Sequence, residues 1–227
     1  MKKTRILSLA MTGALCLSLL AGCGGGNSGT AETPAAGASE TPAAENTSTA
    51  TGAAFKIGGT GPLTGDASIY GLAAQRGAQI AVDEINAEGG AIQFELNYQD
   101  DVNVPETAVN AYNTLKDWGM QISLGSVTSQ PGVSTSQLAM TDRIFTLTPS
   151  GSSPDVIEGK DCVYQMCFSD PNQGLASAQY IYDQGLGEKV FIIWKNDDVY
   201  STGIYNQFVT EAEALGLDVV GNATFTT

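Results

Sequence analysis

Along residues 55–220 the chain alternates between two hydrophobic rhythms, one with a period near two and one near 3.6. Residues 55–59 predict a short strand that ends in a turn over 60–66. A helix over about 71–86 follows, with Ala74, Ala78, Ala81, Val82 and Ile85 on its apolar face. Glu88-Gly89-Gly90 stops it, and residues 92–99 alternate as a second strand ending in Asp100-Asp101. Pro105 opens the next helix at its first turn, Ala108, Tyr112 and Leu115 form its buried face, and Gly119 ends it. Residues 120–125 read as a strand running into a Ser/Thr loop at 126–129 and a short helix. Residues 144–148 read as the next strand, opening into Pro149-Ser150-Gly151-Ser152-Ser153.

The alternation continues toward the end. A strand is expected at 163–168 and a helix at about 171–184, presenting Leu175, Ala178 and Ile181. Residues 190–194 form an unbroken apolar run, the pattern of a parallel strand covered on both faces. A helix over 201–215 aligns Ile204, Phe208 and Ala212, and 217–220 begin another strand. About six strand–helix units imply a doubly wound α/β protein with right-handed crossovers.

Two consecutive strand ends, near 126–129 and 149–153, carry hydroxyls and small residues. In an open parallel sheet ligands bind outside the carboxyl ends of the strands. Serine and threonine hydroxyls donate to a carboxylate and accept from an ammonium. The same residues also favour plain turns, and that alternative stays open here. Tyr70, Asp170 and Tyr200 stand in or beside loops at the same end. Each also has an ordinary reading: a partly buried ring for the tyrosines, and a helix N-cap ahead of Pro171 for Asp170.

The amino-terminal segment follows other rules. Lys2, Lys3 and Arg5 precede an apolar run over 6–20 that is too short to span a bilayer and reads as an export signal at residues 1–22. Leu20-Ala21-Gly22-Cys23 resembles the bacterial lipobox, so Cys23 is expected to carry lipid and to tether the protein to the outer face of a membrane. Residues 23–53 form a low-complexity linker in which ETPAA occurs twice. That composition cannot offset the entropy of ordering, and a flexible coil of this length spans about 30 Å.

After Cys23 there are 7 basic and 24 acidic residues, a formal charge of −17, which argues against nucleic-acid partners. The chain has no histidine, so the commonest general base and the commonest metal ligand are both missing. Gly59-Thr60-Gly61-Pro62-Leu63-Thr64-Gly65 departs from a dinucleotide-binding loop by one extra residue and a proline. No nucleophile elbow or phosphate-binding loop is present. A binding protein, not an enzyme, with no cofactor and no metal, is the expectation. Cys162 and Cys167 flank an apparent strand, which would hold them too far apart to bond. They are expected to be free and mostly buried.

The motifs GTGPLTGDASIYG, RGAQIAVDEINAEGG, YQDD, GSVTSQP, TLTPSGSSP and CFSDPNQG resemble, in order and spacing, the branched-chain amino-acid binding proteins of ABC importers. The resemblance covers about residues 55–220. It implies a type I solute-binding fold: two doubly wound parallel-sheet lobes with the solute trapped between them. Lobe 1 would occupy 54–167, and an incomplete lobe 2 would occupy 168–227. By the same resemblance Ser129 holds a ligand carboxylate, Ser150 offers a backbone contact to the ammonium, Ser152 is a hydroxyl-bearing contact to both groups, and Gly151 between them belongs to the ligand-binding set. Tyr70 would line the mouth from lobe 1, with Asp170 and Tyr200 lining it from lobe 2. The implied partners are an amino acid or similar solute, an ABC permease and, through the anchor, a membrane; a monomer is expected.

Two departures accompany the resemblance. A cysteine often found near the position of Thr128 is absent, and the family's chains are much longer, so a fragment or truncated copy is expected. A sensing receptor for amides, urea or aromatic acids, or an inactive fragment, are the alternative functions.

Overall fold

The computed structural model describes residues 52–226. The export signal, Cys23 and nearly all of the linker lie outside the described residues. A five-stranded parallel sheet is built from β1 (Phe55–Gly61), β2 (Phe94–Asp100), β3 (Ile122–Ser126), β4 (Phe145–Thr148) and β5 (Val163–Gln165). Its strand order is β2-β1-β3-β4-β5. The helices between the strands are α1 (Ser68–Ala87), α2 (Pro105–Trp118) and α3 (Ser129–Asp142). A smaller parallel sheet pairs β6 (Lys189–Lys195) with β7 (Asp218–Phe225), accompanied by α4 (Asp170–Asp183) and α5 (Val199–Leu215).

This order reverses between β1 and β3. With right-handed crossovers, the connection through α1 runs one way and those through α2 and α3 run the other. α1 therefore takes the face opposite α2 and α3, which pack together. The reversal leaves a crevice at the carboxyl ends of β1 and β3, where a doubly wound sheet admits ligands.

Tyr112, Leu115, Met120, Ala139, Val156 and Val163 form the core beneath α2 and α3. Leu115 is 1% exposed, and burial of such a side chain stabilises by roughly 1.5–3 kcal/mol. Gly119 ends α2 in the left-handed region at φ 95°, with its N–H turned back to the last carbonyls. A second core joins Ala178 and Phe208 to Ala212 and Leu217 under the small sheet. The two tryptophans divide between the sheets: Lys56 Nζ lies 4.9 Å over the Trp118 ring, and Trp194 stacks on Tyr205 at 4.2 Å.

Several element boundaries differ from the sequence expectation. α1 starts three residues early, so Tyr70 sits in its first turn and not in a loop. Of the predicted α1 face, Val82 is buried, while Ala81 and Ile85 are exposed. The helix after β3 has 14 residues and already contains Ser129. β5 ends at Gln165, which leaves Met166 72% exposed. Cys162 and Cys167 are free, as expected, but half-buried instead of mostly buried, because the strand between them is short. β6 is covered on one face only: Val190 and Ile192 pack on the second core, whereas Phe191 and Ile193 are 57% and 70% exposed. Among the described residues the expected cover on the second face of β6 is absent. Among the described residues no helix is long and apolar enough to cross a membrane.

Candidate functional site

The site is assembled from the bottom up by the end of β3. Gly125 adopts φ 64°, and a Cβ there would stand 3.1 Å from the Thr148 Cα. Only glycine suits both constraints. The kink turns the chain into Val127-Thr128 and starts α3 at Ser129. Thr148, at the end of β4, donates from Oγ1 to the Ser126 carbonyl at 2.7 Å and accepts the Gly151 N–H at 2.9 Å. One buried hydroxyl thus ties the two loops together. Sequence reasoning missed Thr148; its signal is a polar residue at an inward position of an apolar strand.

Ser129 is 3% exposed, and its hydroxyl oxygen accepts the N–H groups of Ser152 and Ser153, each at 3.1 Å. Its own hydrogen is left for a further acceptor. Ser152 donates from Oγ to Asp170 Oδ1 at 2.5 Å, and the Asp170 N–H donates to the Ser152 carbonyl at 3.1 Å. Ser150, on the exposed side of the loop, donates from its hydroxyl to the Val127 carbonyl. Ser129, Ser150, Gly151, Ser152 and Asp170 therefore converge.

Asp170 is fully buried, and its Oδ2 has no hydrogen-bond partner. Burial pushes its carboxyl up to about 6. The Ser152 hydroxyl works against that rise, and Asp198 and Asp155 add to it. Asp170 is the first residue of α4, while the N-cap is Ser169, whose hydroxyl accepts from Asn172 N–H. The N-cap reading of Asp170 is corrected accordingly. Gly203 of α5 packs directly on this carboxylate; a Cβ at that position would lie 2.9 Å from the Asp170 Cβ.

The two tyrosines stand outside this cluster. Tyr200, 39% exposed in the first turn of α5, accepts from Gln173 Nε2 at 3.2 Å. Tyr70 is 65% exposed on α1. Beside the cluster, an open cleft of about 570 Å³ runs between Ser153, Asp155 and the α5 face at Thr202, Gly203 and Asn206. Among the described residues no group of acidic or cysteine side chains could hold a metal ion. Hydroxyls and one partner-free carboxylate oxygen suit the recognition of a small polar molecule.

Known proteins resemble this chain in sequence and in fold. The chain is 31% identical over 173 residues to the Leu/Ile/Val-binding protein BraC3 of Rhizobium johnstonii, which covers 75% of this chain and 47% of that protein. The branched-chain amino acid transporter substrate-binding protein LivJ of Streptococcus pneumoniae, solved in complex with isoleucine, superposes with a TM-score of 0.71 at 28% identity. That match covers 77% of this chain and 50% of LivJ. The leucine-binding protein LivK of Thermotoga maritima gives a TM-score of 0.69 at 26% identity, over 76% of this chain and 49% of LivK. The chain thus spans about half the length of the relatives it matches. Its fold is the α/β fold of these type I solute-binding proteins. A model of the family described as periplasmic binding protein matches residues 54–227, and the chain belongs to that family.

Proposed function

We propose that this chain carries the recognition face of an extracytoplasmic solute-binding protein. Its solute is an amino acid, of the branched-chain type, passed on to an ABC import permease. The observation that carries the reading is the convergence of Ser129, Ser150, Gly151, Ser152 and Asp170 at the carboxyl ends of β3 and β4. The spare Ser129 hydrogen suits an α-carboxylate, and the partner-free Asp170 Oδ2 suits an ammonium. The names of the relatives point to the same solute class.

Ser129, Ser152 and Asp170 are at most 3% exposed, so a solute reaches them only when the two sheets part about the connection at 166–169. Opening and closing of two lobes about such a connection is the mechanism, with the solute favouring the closed state. Residues 54–167 and 168–227 serve as the two parts that move, and Tyr70 and Tyr200 form the rim. Cys23 carries the lipid that holds the protein at the membrane.

Isothermal titration of the expressed protein with leucine, isoleucine and valine tests the reading. Binding of at least one, abolished by Ser129→Ala with Ser152→Ala while circular dichroism is retained, is the expected result. Unchanged affinity in that double variant would overturn the site. Loss of an acyl mass on Cys23→Ala tests the anchor separately.

A further inference from the structure

The Asp170 carboxyl is fully enclosed, yet no counter-charge accompanies it. Its Oδ1 accepts one hydrogen bond, from the Ser152 hydroxyl at 2.5 Å, and its Oδ2 accepts none. The ion pairs among the described residues are Lys116–Asp142, Arg143–Asp161 and Lys195–Asp197, and Asp170 belongs to none of them. Lys160, close to the serine loop in sequence, ends on the Asp155 and Glu158 carbonyls instead.

The elements packed around this carboxyl present negative or neutral groups. From the loop after β4 come the Ser152 hydroxyl and Asp155. From α5 come Asp198, its N-cap, and Gly203, whose Cβ would lie 2.9 Å from the Asp170 Cβ and 3.4 Å from Oδ2. Asp155, Asp198 and Gly203 all line the open cleft, as does Pro171 next to Asp170. Tyr200, in the first turn of α5, is engaged by Gln173. From the connection at 166–169 comes Cys167, whose thiol is pushed up by burial, with a further rise from Asp170.

Burying a charge with one neutral donor and like charges for neighbours costs far more than burying the neutral acid. Oδ1 already accepts from Ser152, so Oδ2 is the oxygen open to a proton. In keeping with that geometry, burial lifts this carboxyl to about 6, against the Ser152 hydroxyl and with help from Asp198 and Asp155. The same oxygen is the one left for a solute ammonium, and it accommodates one cation at a time.

We propose that a proton and the solute ammonium exchange on Asp170 Oδ2, so that capture of an amino acid expels one proton. The ammonium keeps its three hydrogens and donates one of them to the ionised oxygen, while the carboxyl proton passes to water. One positive charge leaves the oxygen as another arrives, and the buried site never holds a bare carboxylate. Placing the ammonium on Asp170 rests on the function proposed above. Capture is then strong where Asp170 is free to ionise and weak where the medium keeps it protonated.

Leucine is titrated calorimetrically into the expressed protein between about pH 4.5 and 8, each point in two buffers of different ionisation enthalpy. Leucine keeps both of its charges across this window, so the protons counted come from the protein. Release is expected to approach one proton per leucine below about pH 6 and to vanish near the upper end, with Kd rising about tenfold per pH unit below about 6. In solute-free protein the carboxyl carbon resonance of Asp170 is expected to titrate near 6, and saturating leucine to move that midpoint down. Asp101, whose buried carboxyl also rises to about 6, is separated by Asp170→Asn, in which the weakened binding no longer changes with pH. If that variant binds nothing, the midpoint shift in the parent decides. A flat Kd without proton release, an Asp170 midpoint that leucine leaves in place, or a pH dependence that survives Asp170→Asn overturns the exchange alone. Failure of leucine, isoleucine and valine to bind at every pH sinks the solute reading and the exchange together.

Discussion

Ser152 and Asp170 hold each other twice, by the Ser152 hydroxyl on Asp170 Oδ1 at 2.5 Å and by the Asp170 N–H on the Ser152 carbonyl at 3.1 Å. This reciprocal pair fastens the loop after β4 to the first turn of α4, and so joins the large sheet to the elements of the small one. Its acid is buried, partner-free on one oxygen, and raised to about 6.

That raised value fixes the sign of a pH effect. The unfolded chain releases this proton near 3.9, the folded chain only near 6, so the native state binds it more tightly. The stabilisation is full below about pH 4 and is lost as pH rises through about 6. In urea unfolding, Asp170→Asn is expected to gain on the parent steadily between pH 4 and 7. A gap that stays constant over that window counts against the assignment.

Ser129→Ala strips the acceptor from two buried N–H groups, those of Ser152 and Ser153. Each unpartnered donor costs about 1–3 kcal/mol. A loss of at least about 1 kcal/mol in denaturant unfolding is the expected outcome, with no solute present. An unchanged midpoint would show that the hydroxyl serves ligand alone.

Gly125→Ala forces a side chain into φ 64° and against the Thr148 backbone at 3.1 Å. Backbone strain of this kind costs about 1–3 kcal/mol. Thermal unfolding is expected to show it as a lowered midpoint, and Thr148→Val, which removes the bond to the Ser126 carbonyl, is expected to lower it as well.

Leu115→Ala and Phe191→Ser contrast the two kinds of apolar position. Leu115 is 1% exposed and its truncation is expected to cost about 2–5 kcal/mol. Phe191, 57% exposed on the open face of β6, is expected to change stability by no more than about 0.5 kcal/mol. Equal losses at the two positions would mean that the open face is covered in solution.

The strand–helix alternation was readable because each crossover repeats the same two periods, and β1, β4 and α4 begin within a residue of the sequence reading. The serine loops were readable as a polar interruption after two apolar strands. What the sequence left hidden was the second duty of those hydroxyls. Ser129 looks like a free loop residue, yet α3 begins on it, and its oxygen satisfies the neighbouring loop. Asp101 reads as turn chemistry after a strand, yet it is fully buried, with its N–H donating to the Gly61 carbonyl at the end of the neighbouring β1. The unbroken run at 190–194 predicted two covered faces. The described residues supply helices for one, and periodicity alone does not say where a second layer comes from.

The division of the two tryptophans, Trp118 against Lys56 beside the large sheet and Trp194 against Tyr205 beside the small one, gives each sheet its own optical probe. Replacing one ring by phenylalanine leaves emission that reports a single sheet. If the Ser152–Asp170 pair binds the halves into one cooperative unit, both single-tryptophan proteins melt at the same denaturant concentration, and cutting that pair splits the transitions.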